Sequence, residues 1–139
     1  MIARTEALIA GLGEAEALDR AQAYVKAGAD MILIHSKKKD PGEIESFSRA
    51  WTGSVPLAIV PNPYSDLDAR RVKELGNVQM MIYGDHGIRA SSTALRDTFR
   101  RIIADGGVQN VHKDVVPVEE IFELQRMDEI KAAETRFLR

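Results

Sequence analysis

The sequence predicts the α/β class, a parallel sheet covered by helices, and this prediction rests on two observations. Short apolar runs alternate with helical segments at intervals of roughly 20 to 30 residues, which is the spacing of β-α-β units. Two of these runs, Met31–Ile34 and Leu57–Val60, are continuously apolar, as is typical of strands buried on both faces. Four such units fit either an open doubly wound sheet or part of a (β/α)8 barrel, which usually needs about 250 residues in all. Periodicity alone does not choose between these architectures.

Glycine, proline and acidic residues mark the boundaries of the first two units. The first strand is predicted over residues 2–8 and the first helix over residues 14–27, with Gly28 as its C-terminal stop. The second strand is followed by Asp40-Pro41-Gly42-Glu43. This run combines an N-cap acid, a proline at the first helical position and a glutamate at the third, so it predicts a helix start.

The last two units lead into a tail without strands. A third strand over residues 57–60 precedes Ser65, which is predicted to cap the next helix. A fourth strand is predicted over residues 79–83 and a longer helix over residues 88–105. Two further amphipathic segments follow Pro117, and no strand pattern comes after them.

The composition is that of an ordinary globular protein of mixed charge. The 139 residues are 45% hydrophobic and 29% charged, with a net charge of −2 and no cysteine. Disulfides and thiolate metal sites are therefore excluded, and the lack of a basic patch argues against nucleic acid or an anionic membrane as a partner. We find no signal-peptide pattern and no apolar run near the roughly 18 residues of a membrane span, so we expect a cytoplasmic protein. Because the sequence starts within a strand, at Ile2, we also expect it to be part of a longer fold.

Polar residues follow the predicted strands at the edge where parallel sheets bind their ligands. Arg4 and Glu6 lie on one side of the first strand because side chains alternate, and His35 follows the second strand. A guanidinium offers paired donors to carboxylate or phosphate oxygens, and an imidazole donates a hydrogen bond or moves a proton near neutral pH. Arg4 and His35 therefore suit an anionic substrate. The alternative is that Arg4 pairs with Glu6 and that His35 is a satisfied core histidine.

Other polar groups at strand ends carry weaker signals. The run Lys37–Lys39 predicts a solvated loop rather than a phosphate cradle. His86 and Arg89 stand near a helix start, where anions bind, although capping and surface pairing are the simpler explanation. Asn62 follows the third strand and Asp85 the fourth. The sequence contains no phosphate-binding loop, dinucleotide fingerprint, zinc-protease motif or nucleophile elbow.

Several segments, in order, make the sequence similar to a known family. Ile2-Ala3-Arg4-Thr5-Glu6-Ala7 is similar to the A-R-T-[DE]-A segment of the isocitrate lyase superfamily. Residues 23–37 resemble its phosphoenolpyruvate mutase branch in particular, and residues 56–61, 82–90 and 120–125 continue the match.

The resemblance implies a fold for the whole chain. It implies the C-terminal half of a (β/α)8 TIM barrel, with four parallel strands and their helices over residues 1–107. The C-terminal helices form a tail over residues 108–139, so that residues 1–139 are a single partial domain. The resemblance also implies a homo-oligomer held by the terminal helices. Pairing with the missing half barrel is the other possibility, because open sheet edges and a bare apolar face invite partners.

The resemblance also implies which residues act. Arg4 and His35 would be catalytic residues that contact the phosphonate or phosphoryl end of the substrate. Glu6 would support these two residues without contacting the substrate. Mg²⁺ would serve the complete enzyme through acids of the first half barrel, so no metal ligand is expected in this chain. Asp85 departs from the asparagine that is common in the family before His86, which weakens any site role for residues 85–89.

Three functions follow as hypotheses. The first is part of a phosphoenolpyruvate mutase, an isomerase that converts phosphoenolpyruvate and phosphonopyruvate into each other and so forms the P–C bond of phosphonates. The second is a phosphonopyruvate hydrolase, which cleaves that bond. The third is a non-catalytic half barrel that serves as an assembly module. In each case we expect the isolated chain to be inactive, because the metal ligands lie elsewhere.

Overall fold

The computed structural model describes residues 1–138 of the chain. These residues form two compact units, which we call the strand unit (Met1–Ile88) and the helical unit (from Arg89 onward). The extension of the barrel portion to residue 107 stays a prediction.

The strand unit contains one parallel sheet of four strands in the order β1-β2-β3-β4. The strands are β1 (Ile2–Thr5), β2 (Met31–Ile34), β3 (Leu57–Ile59) and β4 (Val78–Met81). Each strand pairs with the next one along the chain, as in a (β/α)8 barrel, whereas a doubly wound sheet reverses its order at a switch point. The predicted fold class, four parallel strands with connecting helices, is confirmed.

Helices connect the strands and make up the helical unit. Three of them lie within the strand unit: α1 (Gly13–Lys26), α2 (Gly42–Ala50) and α3 (Ala69–Leu75). A long helix, α4 (His86–Asp105), begins at the end of the strand unit and lies mainly in the helical unit. It is followed by a 3-10 turn, His112–Asp114, and by α5 (Val118–Leu124) and α6 (Met127–Phe137). No helix within residues 1–138 is long and apolar enough to span a membrane.

Two helix starts differ from the sequence prediction. The cap of α3 is not Ser65: the Asp68 carboxylate accepts a hydrogen bond from the backbone N–H of Arg71 at 2.8 Å, and the helix begins at the next residue, Ala69. At α2, the Asp40 carboxylate accepts from the Gly42 N–H at 3.1 Å, but Pro41 occupies the capping position. In both cases an acid near the first turn satisfies an N–H that has no partner inside the helix.

The main core lies between the sheet and the helices of the strand unit. Alternate strand residues, Ile32 and Ile34 on β2 and Leu57 and Ile59 on β3, are fully buried there. They pack with residues of α1 and α2, including Ala17, Ala21, Ile44 and Phe47.

The opposite face of the sheet carries a different set of side chains. Strand register aligns Arg4, Leu33, Ala58 and Met80 in one row across the four strands. The two ends of this row are open, because Arg4 is exposed and Met80 is 38% exposed. Ile2, two residues before Arg4 on β1, is 46% exposed. In a closed barrel this row would face the interior.

Replacement of Phe47 by alanine should destabilise the strand unit strongly. Phe47 is fully buried and stacks on Trp51, with ring centroids 5.8 Å apart. The cavity should lower the free energy of unfolding by about 3–5 kcal/mol, measured by urea titration of Trp51 fluorescence. Phe99→Ala is the matched control, because Phe99 is 58% exposed and its loss should change stability by less than about 0.5 kcal/mol. Equal effects of the two changes would contradict this account of the core.

Candidate functional site

The candidate site lies at the carboxyl ends of β1 and β2. Arg4 pairs with Leu33 in the parallel register, and His35 comes two residues after Leu33. Because strand side chains alternate, both point to the face opposite the helices. The charge of Arg4 and that of Glu6 both act on the His35 ring, so the structure brings the three predicted residues together.

Arg4 and Glu6 form an ion pair between Arg4 Nε and Glu6 Oε1. About half of each side chain remains exposed, so the pair adds little to stability. This contact is made by Nε, and the guanidinium carries two further NH2 groups that can donate to an oxyanion. An ion pair of this kind restricts the orientation of the guanidinium.

His35 is partly buried, and its two ring nitrogens differ. Nδ1 is inaccessible and has no hydrogen-bond partner within residues 1–138. Protonation would place a second N–H at the buried position without an acceptor, at considerable cost. Burial, followed by the positive charge of Arg4, lowers the pKa of His35 below its ordinary value of 6.5, while Glu6 opposes the shift. The imidazole is therefore neutral at neutral pH.

The residue after His35 is held by side chains from two other segments. Ser36 is 1% exposed; its hydroxyl donates to Glu43 Oε2 at 2.5 Å, and its carbonyl accepts from the Tyr64 hydroxyl at 3.2 Å. Glu43 Oε1 in turn binds Lys38 Nζ at 2.9 Å. We call Ser36, Lys38, Glu43 and Tyr64 the anchor cluster. Sequence reasoning read Glu43 only as a helix-start residue, and no sequence signal pointed to Tyr64.

The ends of β3 and β4 form a separate polar group. Asn62 Nδ2 donates to Asp85 Oδ1 at 2.6 Å, and His86 Nδ1 lies 3.6 Å from the same oxygen. The Tyr83 ring packs edge-on against His86, with centroids 5.9 Å apart. These residues therefore contact one another at the ends of β3 and β4.

The described residues do not fit a magnesium site. Within residues 1–138 there is no group of three or more histidine, aspartate or glutamate side chains that could hold a metal ion. The acids nearest the candidate site are already engaged, Glu6 with Arg4 and Glu43 with Ser36 and Lys38. Mg²⁺ takes about six oxygen ligands in an octahedron from protein, water and substrate together, and carboxylates are the usual protein ligands.

Comparison with known proteins gives consistent results. Residues 1–103 match the family described as phosphoenolpyruvate phosphomutase. The chain is 49% identical over 139 residues to phosphonopyruvate hydrolase of Variovorax sp. (strain Pal2), and 45% identical over 138 residues to phosphoenolpyruvate phosphomutase of Tetrahymena pyriformis. These matches cover 100% and 99% of the chain but 48% and 46% of the relatives. The chain therefore spans about half the length of the curated relatives it matches.

Solved structures agree with this result. A crystal structure of phosphonopyruvate hydrolase superposes with a TM-score of 0.92 at 49% identity, covering 99% of this chain and 49% of that one. A second structure of phosphonopyruvate hydrolase, with the same score, contains oxalate and Mg²⁺. The phosphoenolpyruvate phosphomutase of Streptomyces platensis subsp. rosaceus gives a TM-score of 0.90 at 39% identity, covering 99% and 48% of the two chains.

The stability of the chain should depend on His35 below about pH 6.5. The folded chain binds the His35 proton less tightly than the unfolded chain, so the free energy of unfolding should fall as the pH drops from 6.5 through the lowered pKa. Above pH 6.5 this contribution should be constant. His35→Asn should remove this part of the pH dependence, measured as the difference between parent and variant in urea unfolding at several pH values. If the two pH curves run parallel, burial of the imidazole is not the cause.

Proposed function

The chain belongs to the phosphoenolpyruvate phosphomutase family, and we propose that it is the C-terminal part of an enzyme that converts phosphoenolpyruvate and phosphonopyruvate into each other. The observation that supports this most is the meeting of Arg4 with a neutral His35 at the carboxyl edge of the sheet. Ligand sites of parallel α/β folds lie at this edge.

Arg4 is proposed to bind the phosphoryl or phosphonate group. Its terminal NH2 groups would donate two parallel hydrogen bonds to neighbouring oxygens of the anion. Glu6 would hold the guanidinium in place. Such directed donors stabilise the charge of a migrating phosphoryl group without having to reorganise during the reaction.

His35 is proposed to donate a third hydrogen bond from Nε2. Its lowered pKa keeps the ring neutral, so its proton would be held at Nε2 and shared with an oxygen of the same group. A neutral His35 beside the cationic Arg4 would bind the anion without holding it so tightly that transfer of the phosphoryl group is prevented. In a mutase the group is transferred to the carbon or the oxygen of the pyruvate enolate.

Magnesium is proposed for the complete enzyme, following the phosphonopyruvate hydrolase that contains Mg²⁺ and oxalate. The metal would supply positive charge for the enolate oxygens. Its ligands are proposed to lie outside this chain, because the described residues offer no suitable group. The isolated chain should then bind the substrate only weakly and turn over none of it.

A partner that completes the barrel is part of the same proposal. β1 and β4 each pair with a single neighbour in the strand unit, and the row from Arg4 to Met80 has open ends. An N-terminal half barrel, or a second copy of this chain, would pair with the open edges and cover the row.

Phosphonopyruvate hydrolase is the second candidate, favoured by the 49% identity to the enzyme of Variovorax. In that reaction water attacks phosphorus, the P–C bond breaks and the enolate carbon takes a proton. Arg4 and His35 would play the same binding roles in both reactions. The choice between them depends on how water is admitted or excluded, a matter for residues outside this chain.

Phosphorus NMR of the purified chain with phosphonopyruvate and Mg²⁺ tests the inactivity of the isolated chain. The signal of phosphonopyruvate should persist, because this part of the enzyme lacks the metal ligands. A growing signal of phosphoenolpyruvate or of free phosphate would contradict the proposal, and the product would identify the reaction.

Arg4→Ala should abolish the activity of a completed barrel and leave its stability nearly unchanged. The barrel would be made by producing this chain together with the N-terminal half of the Variovorax phosphonopyruvate hydrolase. Loss of the paired donors should lower kcat/KM by at least about a hundredfold, while the free energy of unfolding changes by less than about 1 kcal/mol.

Arg20→Ala is the matched control for that experiment. Arg20 is also paired through Nε with a glutamate, Glu16, at 2.6 Å, and its exposure of 41% is close to the 46% of Arg4. This variant should keep full activity. If instead Arg4→Ala lowered stability and spared activity, Arg4 would be structural, and the non-catalytic assembly module would be the better reading.

A further inference from the structure

We infer that the anchor cluster positions His35, with Ser36 and Glu43 as positioning residues for the imidazole. This inference rests on the proposed function of His35. It states that the anchor cluster sets the orientation of the ring, on which that function depends. Neither Ser36 nor Glu43 would touch the substrate.

The direction of each hydrogen bond in the cluster follows from its chemistry. The hydrogen bond from Ser36 is the main reason that the pKa of Glu43 lies below its ordinary value, so Glu43 is a carboxylate at neutral pH and can only accept. The single proton of the Ser36 hydroxyl is therefore committed to Glu43 Oε2. The hydroxyl oxygen accepts from the backbone N–H of Lys38 at 3.1 Å.

These bonds make Ser36 an unsuitable nucleophile or substrate donor. Its hydroxyl is buried, its proton points at Glu43, and its oxygen already accepts one hydrogen bond. The cluster therefore acts on the backbone. It ties the end of β2 to the start of α2 through Glu43 and to the β3–α3 loop through Tyr64, which is itself buried.

His35 lies between two immobilised neighbours as a result. Ile34 is fully buried in the core and belongs to β2, while Ser36 is held at both its side chain and its carbonyl. With both neighbours held, the backbone of His35 has one direction in which to project its ring. The ring is placed so that Nδ1 is buried, and under the proposed function Nε2 would meet the ligand.

The charges of the anchor cluster are distinct from the charges that act on the His35 ring. Lys38 neutralises Glu43 at 2.9 Å, so the carboxylate can act as an acceptor without placing an unpaired negative charge near an anion site. Arg4 and Glu6 remain the charged groups that act on the ring of His35. Loss of the cluster should therefore change the burial of the ring rather than its charged surroundings.

The test compares Glu43→Ala and Glu43→Gln in the 139-residue chain, with Glu74→Ala as the control. Alanine removes the acceptor for Ser36, whereas glutamine keeps a side-chain oxygen for Ser36 and loses only the charge. Glu74 is also a glutamate paired with a basic residue, Arg70, but its side chain is 65% exposed on α3. The readout is the pH midpoint of the His35 imidazole in proton–nitrogen NMR spectra.

Glu43→Ala should move the His35 midpoint upward, toward the ordinary value, because the ring gains access to water. Glu43→Gln should restore most of the parent midpoint, and Glu74→Ala should leave it unchanged. A folded Glu43→Ala chain with an unaltered His35 midpoint and unaltered ring signals would overturn the inference. If Glu43→Ala does not fold, Tyr64→Phe replaces it. That change deletes one hydroxyl from the anchor cluster and keeps the aromatic ring. An unaltered His35 midpoint in Tyr64→Phe would also overturn the inference.

Binding of phosphonopyruvate, followed by phosphorus NMR line broadening, separates this inference from the proposed function. Loss of the cluster should weaken binding by about tenfold, the size expected for one hydrogen bond to a charged group. If the parent chain shows no binding and the barrel completed with the N-terminal half of the Variovorax hydrolase also shows no binding, while the Glu43 variants still shift the His35 midpoint, the positioning role holds and the proposed ligand is wrong. If the parent binds and Glu43→Ala binds equally well with an unchanged midpoint, the positioning role is wrong and the proposed function stands.

Discussion

The parallel pairing of β1 with β2 is the constraint on which the rest of the site depends. Thr5 lies opposite Ile34, and both are fully buried beneath the helices. Because strand side chains alternate, burial of these two residues turns Arg4 and His35 to the other face. A slip of one residue would exchange the faces and bring the Arg4 guanidinium into an apolar core, which is very unfavourable. The apolar core therefore specifies the position of the polar site.

The two faces of the sheet differ in the way that half of a barrel requires. The helix-covered face has its apolar residues buried, so the strand unit has a core of its own. The other face carries the row that begins at Arg4 and ends at Met80, and its ends are open. The chain spans about half the length of the relatives it matches, 48% and 46% in two cases. A row exposed at its two edge strands is consistent with half of a (β/α)8 barrel.

The chemistry proposed for the site depends on the contrast between Arg4 and His35. Arg4 is a permanent cation held by Glu6, while burial and the charge of Arg4 lower the pKa of His35 and keep it neutral. A cation and a neutral donor side by side suit an anion with several oxygens. The anchor cluster maintains this contrast, because it fixes the backbone beside a ring whose buried nitrogen has no partner within residues 1–138.

The sequence by itself determined the four parallel strands, their connecting helices and the position of Arg4 and His35 at the ends of neighbouring strands. These features follow from short-range periodicity and from the rule that the carboxyl ends of parallel strands share one edge. The ordered resemblance to the family added that the strands are half of a barrel. Tertiary structure alone decided that Asp68 rather than Ser65 caps α3, that Glu43 binds Ser36, and that Tyr64 reaches the Ser36 carbonyl across 28 residues. Only tertiary structure could also lower the pKa of His35, since burial depends on segments that meet only after folding.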